Sequence, residues 1–237
     1  KSVAKPMLPI LEKPLLEYII YLMAQHGFKD LVINLFHLAE SIKNHFGDGK
    51  PWNVNITYSL ETHLLGTAGA LTKVKDYFDE PFLVYYGDNL TNVDLSDLWE
   101  SHQASNALAT IGLIRMDEPT TRGIISLNKS RNIDRIIEKP TKSQVFDNYW
   151  VNAGCYIIEP DLINYIPETE PVDFSRDVFP LLLAKKKILR GHPLKGQLLS
   201  TDTPKRYESA LNAVMDDSFS LPQKGHGVWE HTLCVAN

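Results

Sequence analysis

The amino-acid sequence predicts an α/β fold with an open, mixed and mainly parallel sheet flanked by helices. Three observations carry this prediction. Strand and helix patterns alternate through the first half of the 237 residues. The run 82–86 is continuously apolar, as in a strand buried on both faces of a parallel sheet. The second half contains several short strand patterns, so we expect a smaller, strand-rich subdomain there.

Each predicted element follows from its local pattern. Residues 12–26 place apolar side chains at helical spacing and end at Gly27. Residues 53–60 alternate apolar and polar side chains, as a half-buried strand does. The same criteria predict strands at 31–36, 82–86, 107–114, 123–127, 133–138 and 151–158 and helices at 38–46, 66–77, 177–186 and 203–215. No linker separates the halves, so we expect one domain over 1–217 and a tail or extended strand over 218–237.

The composition is that of a globular chain and excludes several other classes. Hydrophobic residues make up 43% and charged residues 22% of the chain, unlike disordered, collagen-like or coiled-coil sequences. The 24 Lys and Arg against 29 Asp and Glu give a net charge of −5, which disfavours non-specific nucleic-acid binding. Cys155 and Cys234 show no metal or redox spacing, and no apolar run reaches the ~20 residues of a membrane span. We therefore expect a cytoplasmic protein without membrane or nucleic-acid partners, in which any phosphate site needs local positive charge.

Ligands of open α/β sheets bind at the carboxyl ends of the strands, which selects the sequence Gly87-Asp88-Asn89. Gly87 lets a ligand approach the backbone, and Asp88 offers a hard oxygen ligand for Mg²⁺ bound to nucleotide phosphates. An ordinary turn after a strand is the alternative. The sequence Gly-Thr-Ala-Gly at 66–69 lies between a strand and a helix, where backbone N–H groups would face a nucleobase or an anion. A tight connecting turn is the alternative there.

A third group of candidates lies in the second half. Pro140 ends a strand pattern, so Glu138 and Lys139 are expected to project from a strand end. A carboxylate accepts hydrogen bonds from sugar hydroxyls, and an ammonium neutralises a phosphate. Asn152 opens the next strand pattern and has both donors and an acceptor. The alternatives are a solvated charge pair and a turn residue. Cys155 lies within an apolar pattern and is expected to be buried and inert, and the eight histidines show no metal-ligand spacing.

Taken together and in order, these segments resemble the sugar-1-phosphate nucleotidylyltransferase family, the NDP-sugar pyrophosphorylases. The resemblance is greatest to the mannose-1-phosphate and heptose-1-phosphate guanylyltransferase-like members. Each matching stretch is short, but the ordered set spans nearly the whole chain. The matching stretches are 5–10, 13–18, 65–70, 87–89, 138–140, 151–154, 173–180 and 203–207. The resemblance implies a Rossmann-like, GT-A-type fold and nucleotidyl transfer from an NTP to a sugar-1-phosphate, with release of pyrophosphate. It favours GTP with mannose- or heptose-1-phosphate.

The resemblance also implies roles for the matching residues. The implied catalytic residues are Lys5, Asp88 and Lys139. The implied nucleotide-binding residues are Glu61, Leu65, Gly66, Thr67, Gly69 and Gly87. The implied sugar-phosphate-binding residues are Gly123, Glu138, Lys139, Asn152 and Gly154. Mg²⁺ is the implied cofactor, with Asp88 and Asp202 as ligands. Residues 1–106 would form the nucleotide-binding half and 107–217 the sugar-phosphate half, in a protein that often forms homo-oligomers.

The sequence departs from the family pattern at three places. Ser200 stands where the second metal aspartate is usual, and Asp202 is the predicted substitute because it faces the same side of an extended segment. Arg122 precedes Gly123, where many members have an aromatic residue. The strand and Gly-rich loop that open family members, on the order of 15–20 residues, would precede Lys1. From the 237 residues alone we therefore expect slow turnover with retained nucleotide-sugar binding.

Other functions stay open at the level of sequence. One is a non-catalytic homologue that binds a nucleotide sugar or regulates a partner, and another is a GT-A-like glycosyltransferase. The enzyme is favoured over the former by the presence of Lys5, Asp88, Glu138 and Lys139. It is favoured over the latter by the sequence at 138–140 and by the opening Lys-Pro motif at 5–6. UTP, CTP and dTTP also stay open, because residues 66–69 would contact the base largely through backbone atoms.

Overall fold

The computed structural model describes residues 3–117, 119–168, 171–224 and 231–236, the last segment through its backbone. Its strands are β1 Pro9–Ile10, β2 Lys13–Pro14, β3 Phe28–Leu35, β4 Asn55–Leu60, β5 Phe82–Tyr86, β6 Asn89–Thr91, β7 Ala109–Ile114, β8 Ile124–Leu127, β9 Ile133–Ile137, β10 Trp150–Ile158, β11 Leu189–Pro193, β12 Leu198–Ser200 and β13 His231–Ala236. Its helices are α1 Leu15–Gln25, α2 Ala39–Phe46, α3 Gly66–Thr72, α4 Leu95–Gln103, α5 Phe179–Ala184 and α6 Pro204–Met215, and a π-helix spans Phe174–Val178. The strands pair both parallel and antiparallel and helices flank them, so the predicted mixed α/β fold is confirmed.

The chain divides into two compact units, of which the first comprises residues 1–63, 85–95 and 195–237. Strands β13, β3 and β4 pair in parallel in this unit. Helix α1 packs on β3 and is buried from Leu15 to Ala24. The helix begins at Leu15 rather than at the predicted residue 12, because Lys13 and Pro14 pair with Ile10 and Pro9 in a short hairpin. A proline also disfavours helical backbone in the residue before it.

The second unit comprises residues 64–84 and 96–194. Strand β7 pairs in parallel with β11 and antiparallel with β10, which also pairs antiparallel with β8, and β8 pairs antiparallel with β9. The register of β10 against β7 shifts between Asn152 and Tyr156, where Gly154 has a φ of 72°. Such bulges bend a strand and re-aim its side chains, and they are common beside active sites. This bulge sets the orientation of Asn152.

The predicted division into halves at 1–106 and 107–217 is not the division that the structure shows. Residues 64–84 belong with the later strands, and residues 195–217 belong with the earlier ones. The physical reason is that strands far apart in sequence pair with each other. Strand β12 pairs antiparallel with β6, so that Ser200 lies opposite Asn89. Sequence order alone does not reveal such a return of the chain.

Other predicted elements are confirmed with shifted boundaries. Strand β5 has the predicted bounds, and Phe82 to Tyr85 are fully buried. The predicted helix at 66–77 ends at Thr72 and is followed by a separate 3₁₀ turn at Lys75–Tyr77. Helix α4 was not predicted, and the segment predicted as a tail or extended strand contains β13. Cys155 is buried, which raises the pKa of its thiol to about 12. In the described part of the chain, no helix is long and apolar enough to cross a bilayer.

The buried carboxylate of Glu17 lies at the centre of a charged cluster at the start of α1. The Glu17 carboxylate lies 2.8 Å from Lys13 Nζ, accepts a 2.7 Å hydrogen bond from the Tyr21 hydroxyl, and lies 3.4 Å from His45 Nε2. Burial raises the pKa of the Glu17 carboxyl, but the hydrogen bonds from Lys13, Tyr21 and His45 together hold it below its ordinary value. The charged form of Glu17 is therefore the form that the folded chain stabilises.

We expect Glu17→Gln to lower the free energy of unfolding at pH 7 by about 1–3 kcal/mol, because the buried Tyr21 hydroxyl and the partly exposed Lys13 and His45 lose a charged acceptor. The stabilisation by Glu17 is complete above its unfolded pKa of about 4.3 and is lost as the pH falls through the lower folded value. The difference between the variant and the unmodified chain should therefore shrink below pH 4. Urea unfolding at several pH values measures it, with the exposed Glu12→Gln as the control. A difference that stays constant with pH would contradict this account.

Candidate active site

The turn after β5 is tied to a distant segment of the first unit. Gly87 and Asp88 connect β5 to β6, and the carbonyl of Asp88 accepts hydrogen bonds from the backbone N–H of Thr201 at 3.1 Å and from its hydroxyl at 3.0 Å. Asp88 itself is half-buried. The sequence alternative of an ordinary turn does not describe this arrangement, because the backbone of Asp88 is held by a residue more than 100 positions later. Asp88 therefore has a fixed place at the carboxyl end of a buried strand.

Asp202 is the residue after Thr201, and its carboxylate forms an ion pair with Arg206. Arg206 Nη1 lies 3.2 Å from Oδ1 and 3.0 Å from Oδ2 of Asp202. The Ser200 hydroxyl is buried and has no hydrogen-bond partner among the described residues. Asp202 therefore directly follows Thr201, the residue that anchors Asp88, and the Arg206 guanidinium lies against its carboxylate.

Two further predicted site residues, Glu61 and Lys5, also belong to the first unit. Glu61 follows β4, is buried, and accepts a 2.7 Å hydrogen bond from the Asn34 side-chain amide. Lys5 lies exposed in the 3₁₀ turn Lys5–Met7, in which Pro6 is buried. The hydrogen bond from Asn34 orients the Glu61 carboxylate, and the buried proline holds Lys5 at the surface.

The turn that enters α3 is bonded to an extended segment of the second unit. The carbonyl of Val172 accepts hydrogen bonds from the N–H groups of Ala68 at 3.0 Å and Gly69 at 3.3 Å, and Val172 N–H donates to Leu65 O at 2.8 Å. Gly66 has a φ of 84°, and a Cβ there would lie 2.3 Å from the Val172 carbonyl oxygen. The expectation that N–H groups of 66–69 face a base or an anion is thus wrong for Ala68 and Gly69. The roles of Leu65, Gly66 and Gly69 in nucleotide binding stay predictions.

Asp173 joins this turn to the π-helix. Its Oδ2 accepts a 2.8 Å hydrogen bond from the Thr67 hydroxyl. Its Oδ1 accepts from the backbone N–H groups of Ser175 at 2.9 Å and Arg176 at 3.2 Å. The Thr67 hydroxyl in turn accepts from Phe174 N–H at 3.1 Å. Thr67, a predicted nucleotide-binding residue, therefore uses its side chain to hold this segment.

Three predicted sugar-binding residues meet at neighbouring strand ends. Gly123 directly precedes β8, Glu138 directly follows β9, and Asn152 lies in β10. A Cβ on Gly123 would lie 2.6 Å from Glu138 Oε2 and 3.8 Å from Asn152 Cβ. The Gly123 carbonyl also accepts a 3.0 Å hydrogen bond from Asn152 N–H. Only glycine leaves room for the Glu138 carboxylate in its present place.

The surroundings of Glu138 combine burial with charges of both signs. Burial and the negative charge of Asp173 raise the pKa of the Glu138 carboxyl. The cations of Lys139, Arg122 and Arg176 lower the same pKa without cancelling the rise. The local positive charge that an acidic protein needs for a phosphate site is thus present around Glu138.

Sequence reasoning missed Asp173, whose carboxylate joins the turn before α3 to the π-helix. The signal for Asp173 was present, because aspartate before a helix is a strong N-cap residue. Its side chain does cap the π-helix. Nothing in the sequence indicated that its other oxygen would bind Thr67, which is 106 positions away.

The fold is an open mixed α/β sheet, and ligands of such sheets bind beyond the carboxyl ends of the strands, where Gly87 and Asp88 follow β5. Residues 1–226 match the family model described as nucleotidyl transferase, and the chain belongs to this family.

Two curated relatives illustrate the family, and a solved structure shares the fold. A UTP–glucose-1-phosphate uridylyltransferase of Synechocystis sp. is 35% identical over 196 residues, covering 77% of this chain and 50% of that protein. A mannose-1-phosphate guanylyltransferase of Mycobacterium tuberculosis is 32% identical over 184 residues, covering 77% and 50%. A UDP-glucose pyrophosphorylase complexed with UDP-glucose shares the fold with a TM-score of 0.75 at 19% identity, covering 91% of this chain and 92% of that one. The chain spans about half the length of these two curated relatives.

Proposed function

We propose that the protein transfers a nucleotidyl group from a nucleoside triphosphate to a sugar-1-phosphate and releases pyrophosphate. The observation that carries the proposal is the cluster of Gly123, Glu138 and Asn152, with Lys139 next to the carboxylate. An acceptor for hydroxyl groups beside a phosphate-neutralising cation matches the two chemical parts of a sugar-1-phosphate. The family of the chain supports the same reaction class.

In this reaction an oxygen of the sugar phosphate forms a bond to the α-phosphorus as the bond from that phosphorus to the β-phosphate oxygen breaks. Pyrophosphate leaves with the electron pair. The protein has to hold two anions in line and offset the charge that moves to the leaving group. In this proposal Lys5 and Lys139 supply positive charge for the phosphates, and Glu138 accepts hydrogen bonds from the sugar.

The backbone of Lys139 supports its role. Lys139 has a φ of 45°, in the left-handed region that residues other than glycine rarely adopt. Its N–H donates a 3.2 Å hydrogen bond to the Arg122 carbonyl. Backbone strain of this kind persists where the surrounding structure imposes it, and it is concentrated at functional sites. Glu138 and Lys139 follow the end of β9, and the strained backbone at Lys139 fixes the direction of the chain there.

In the first unit, the carboxylate of Asp88 is a suitable ligand for Mg²⁺. Mg²⁺ is commonly held by one or two carboxylates together with substrate phosphates, and Asp88 offers such a carboxylate at a strand end. Asp202 does not fit as a second ligand while Arg206 contacts both of its oxygens. Among the described residues, no group of three or more His, Cys, Asp or Glu side chains forms a metal site. When bound, Mg²⁺ would offset phosphate charge next to Asp88.

GTP with mannose-1-phosphate is the substrate pair we favour. Guanine carries an amino donor beside its ring N–H, and a carboxylate such as Glu61, oriented by Asn34, is an acceptor for such donors. The Mycobacterium tuberculosis relative is named for this substrate pair. UTP with glucose-1-phosphate is the second candidate, because the Synechocystis relative bears that name.

A binding and pyrophosphate-release panel tests the reaction. GTP, UTP, CTP and dTTP are each combined with mannose-1-phosphate, glucose-1-phosphate and heptose-1-phosphate, and nucleotide-sugar binding is measured by calorimetry. Lys139→Ala should weaken sugar-1-phosphate binding by about tenfold or more, because a hydrogen-bonded cation on the phosphate is lost. The exposed Lys142→Ala is the matched control and should have no effect. A chain that neither releases pyrophosphate nor binds any nucleotide sugar would contradict the proposal, and binding without release would favour the non-catalytic alternative.

We expect substitutions of Asp88 and Asp202 to have different effects on metal affinity. Asp88→Asn should weaken Mn²⁺ binding by about tenfold or more, because even partners outside the ligand shell are worth that much in metal sites. Asp202→Asn should leave the affinity within about twofold, since Arg206 already neutralises that carboxylate. The electron paramagnetic resonance signal of free Mn²⁺, which takes the same oxygen ligands as Mg²⁺, measures both. A large loss in Asp202→Asn with none in Asp88→Asn would reverse the assignment.

A further inference from the structure

The side-chain amide of Asn152 is fully used within the protein. Its Nδ2 donates to the Tyr156 hydroxyl at 2.9 Å and to Ser175 Oγ at 2.7 Å, and its Oδ1 accepts from Gly154 N–H at 2.9 Å. A backbone N–H can only donate, so the bond from Gly154 fixes which end of the amide is the oxygen. Both amide N–H groups are therefore occupied. Asn152 has no donor left for a sugar hydroxyl, contrary to the direct contact that the sequence resemblance implies.

The Ser175 hydroxyl accepts one of the two hydrogen bonds that Asn152 Nδ2 donates. A hydroxyl has one proton and two lone pairs, so accepting from Asn152 leaves the Ser175 proton available to donate elsewhere. No hydrogen bond in the described part of the chain uses that proton. The bond from Ser175 N–H to Asp173 fixes the backbone at 2.9 Å. A buried donor without an acceptor is costly unless a ligand or a water satisfies it.

The Ser175 donor belongs to the same group of residues as the Glu138 acceptor. A Cβ on Gly123 would lie 2.6 Å from Glu138 Oε2 and 3.8 Å from Asn152 Cβ, and Asn152 Nδ2 donates to Ser175 Oγ, so these four residues are neighbours. One fixed acceptor and one fixed donor are what two neighbouring sugar hydroxyls require, since each hydroxyl both donates and accepts.

We propose that Ser175 donates its hydroxyl proton to one ring hydroxyl of the sugar-1-phosphate, and that Asn152 is a positioning residue that aims this proton. The inference rests on the proposed function and deepens it, because it names a residue that determines which sugar is accepted. A site built to hydrogen-bond a substrate hydroxyl rejects an analogue that lacks it.

The test compares dissociation constants for mannose-1-phosphate, glucose-1-phosphate and their monodeoxy analogues, measured by calorimetry on the unmodified chain and on Ser175→Ala. We expect Ser175→Ala to weaken binding of the parent sugar phosphate by about three- to tenfold. For the one analogue that lacks the contacted hydroxyl, the two proteins should bind equally. For the other analogues the same loss should remain. Ser143→Ala, an exposed serine of the same unit, is the control and should bind all ligands as the unmodified chain does.

Asn152→Asp gives an independent reading. The new carboxylate accepts instead of donating, so the Ser175 proton turns towards it and away from the sugar. This variant should show the same analogue-specific loss as Ser175→Ala, with thermal unfolding confirming that both are folded. An equal loss for every analogue, or no loss in either variant, would overturn the role of Ser175 and leave the proposed function standing. No binding of any sugar-1-phosphate by the unmodified chain would overturn the proposed function itself and this inference with it.

Discussion

One carboxylate, that of Asp173, joins two segments of the second unit. One of its oxygens caps the π-helix through the N–H groups of Ser175 and Arg176, and the other accepts from the Thr67 hydroxyl at the start of α3. Hydrogen bonds to a charged acceptor are worth roughly twice those between neutral groups. The backbone of Val172 adds its own hydrogen bonds to the same turn. The turn before α3 and the segment that carries Ser175 are therefore held as one piece.

The same carboxylate sets the electrostatics of the sugar-binding candidates. Asp173 adds negative charge next to Glu138, whose carboxyl pKa is already raised by burial. Such an arrangement is unfavourable for the folded chain unless cations compensate, and Lys139, Arg122 and Arg176 do so in part. A sugar phosphate would bring further negative charge to this region, where those cations would stabilise it. We interpret the mixed cluster as a site in which Glu138 accepts hydrogen bonds from hydroxyls and the basic groups bind the phosphate.

Local sequence patterns predicted most of the helices and strands. The bounds of β5 and the need for glycine at 66 followed from an apolar run and a strand-to-helix turn, because both are determined by neighbouring residues. The grouping of Gly123, Glu138 and Asn152 was implied by the family resemblance, and the structure brings the three residues together.

The remaining features depend on contacts between distant residues, which a single sequence does not encode locally. The pair Thr67 and Asp173 and the anchoring of Asp88 by Thr201 each join segments more than 100 positions apart. Asn152 was predicted as a direct sugar contact because its side chain has the right donors. The structure shows that Tyr156 and Ser175 already take those donors. Asp202 was chosen from its spacing, which contained no sign of the contact with Arg206.

A double-mutant cycle on Thr67→Val and Asp173→Asn tests most directly whether Asp173 joins the two segments. The free energies of unfolding of the four proteins are measured by urea denaturation at neutral pH. If the carboxylate holds both segments, the interaction free energy of the pair should exceed about 0.5 kcal/mol and lie within the range of about 0.5–3 kcal/mol found for residues in one hydrogen-bond network. Effects that add to within about 0.3–0.5 kcal/mol, as for independent sites, would show that the two segments are held by other contacts and would contradict the account.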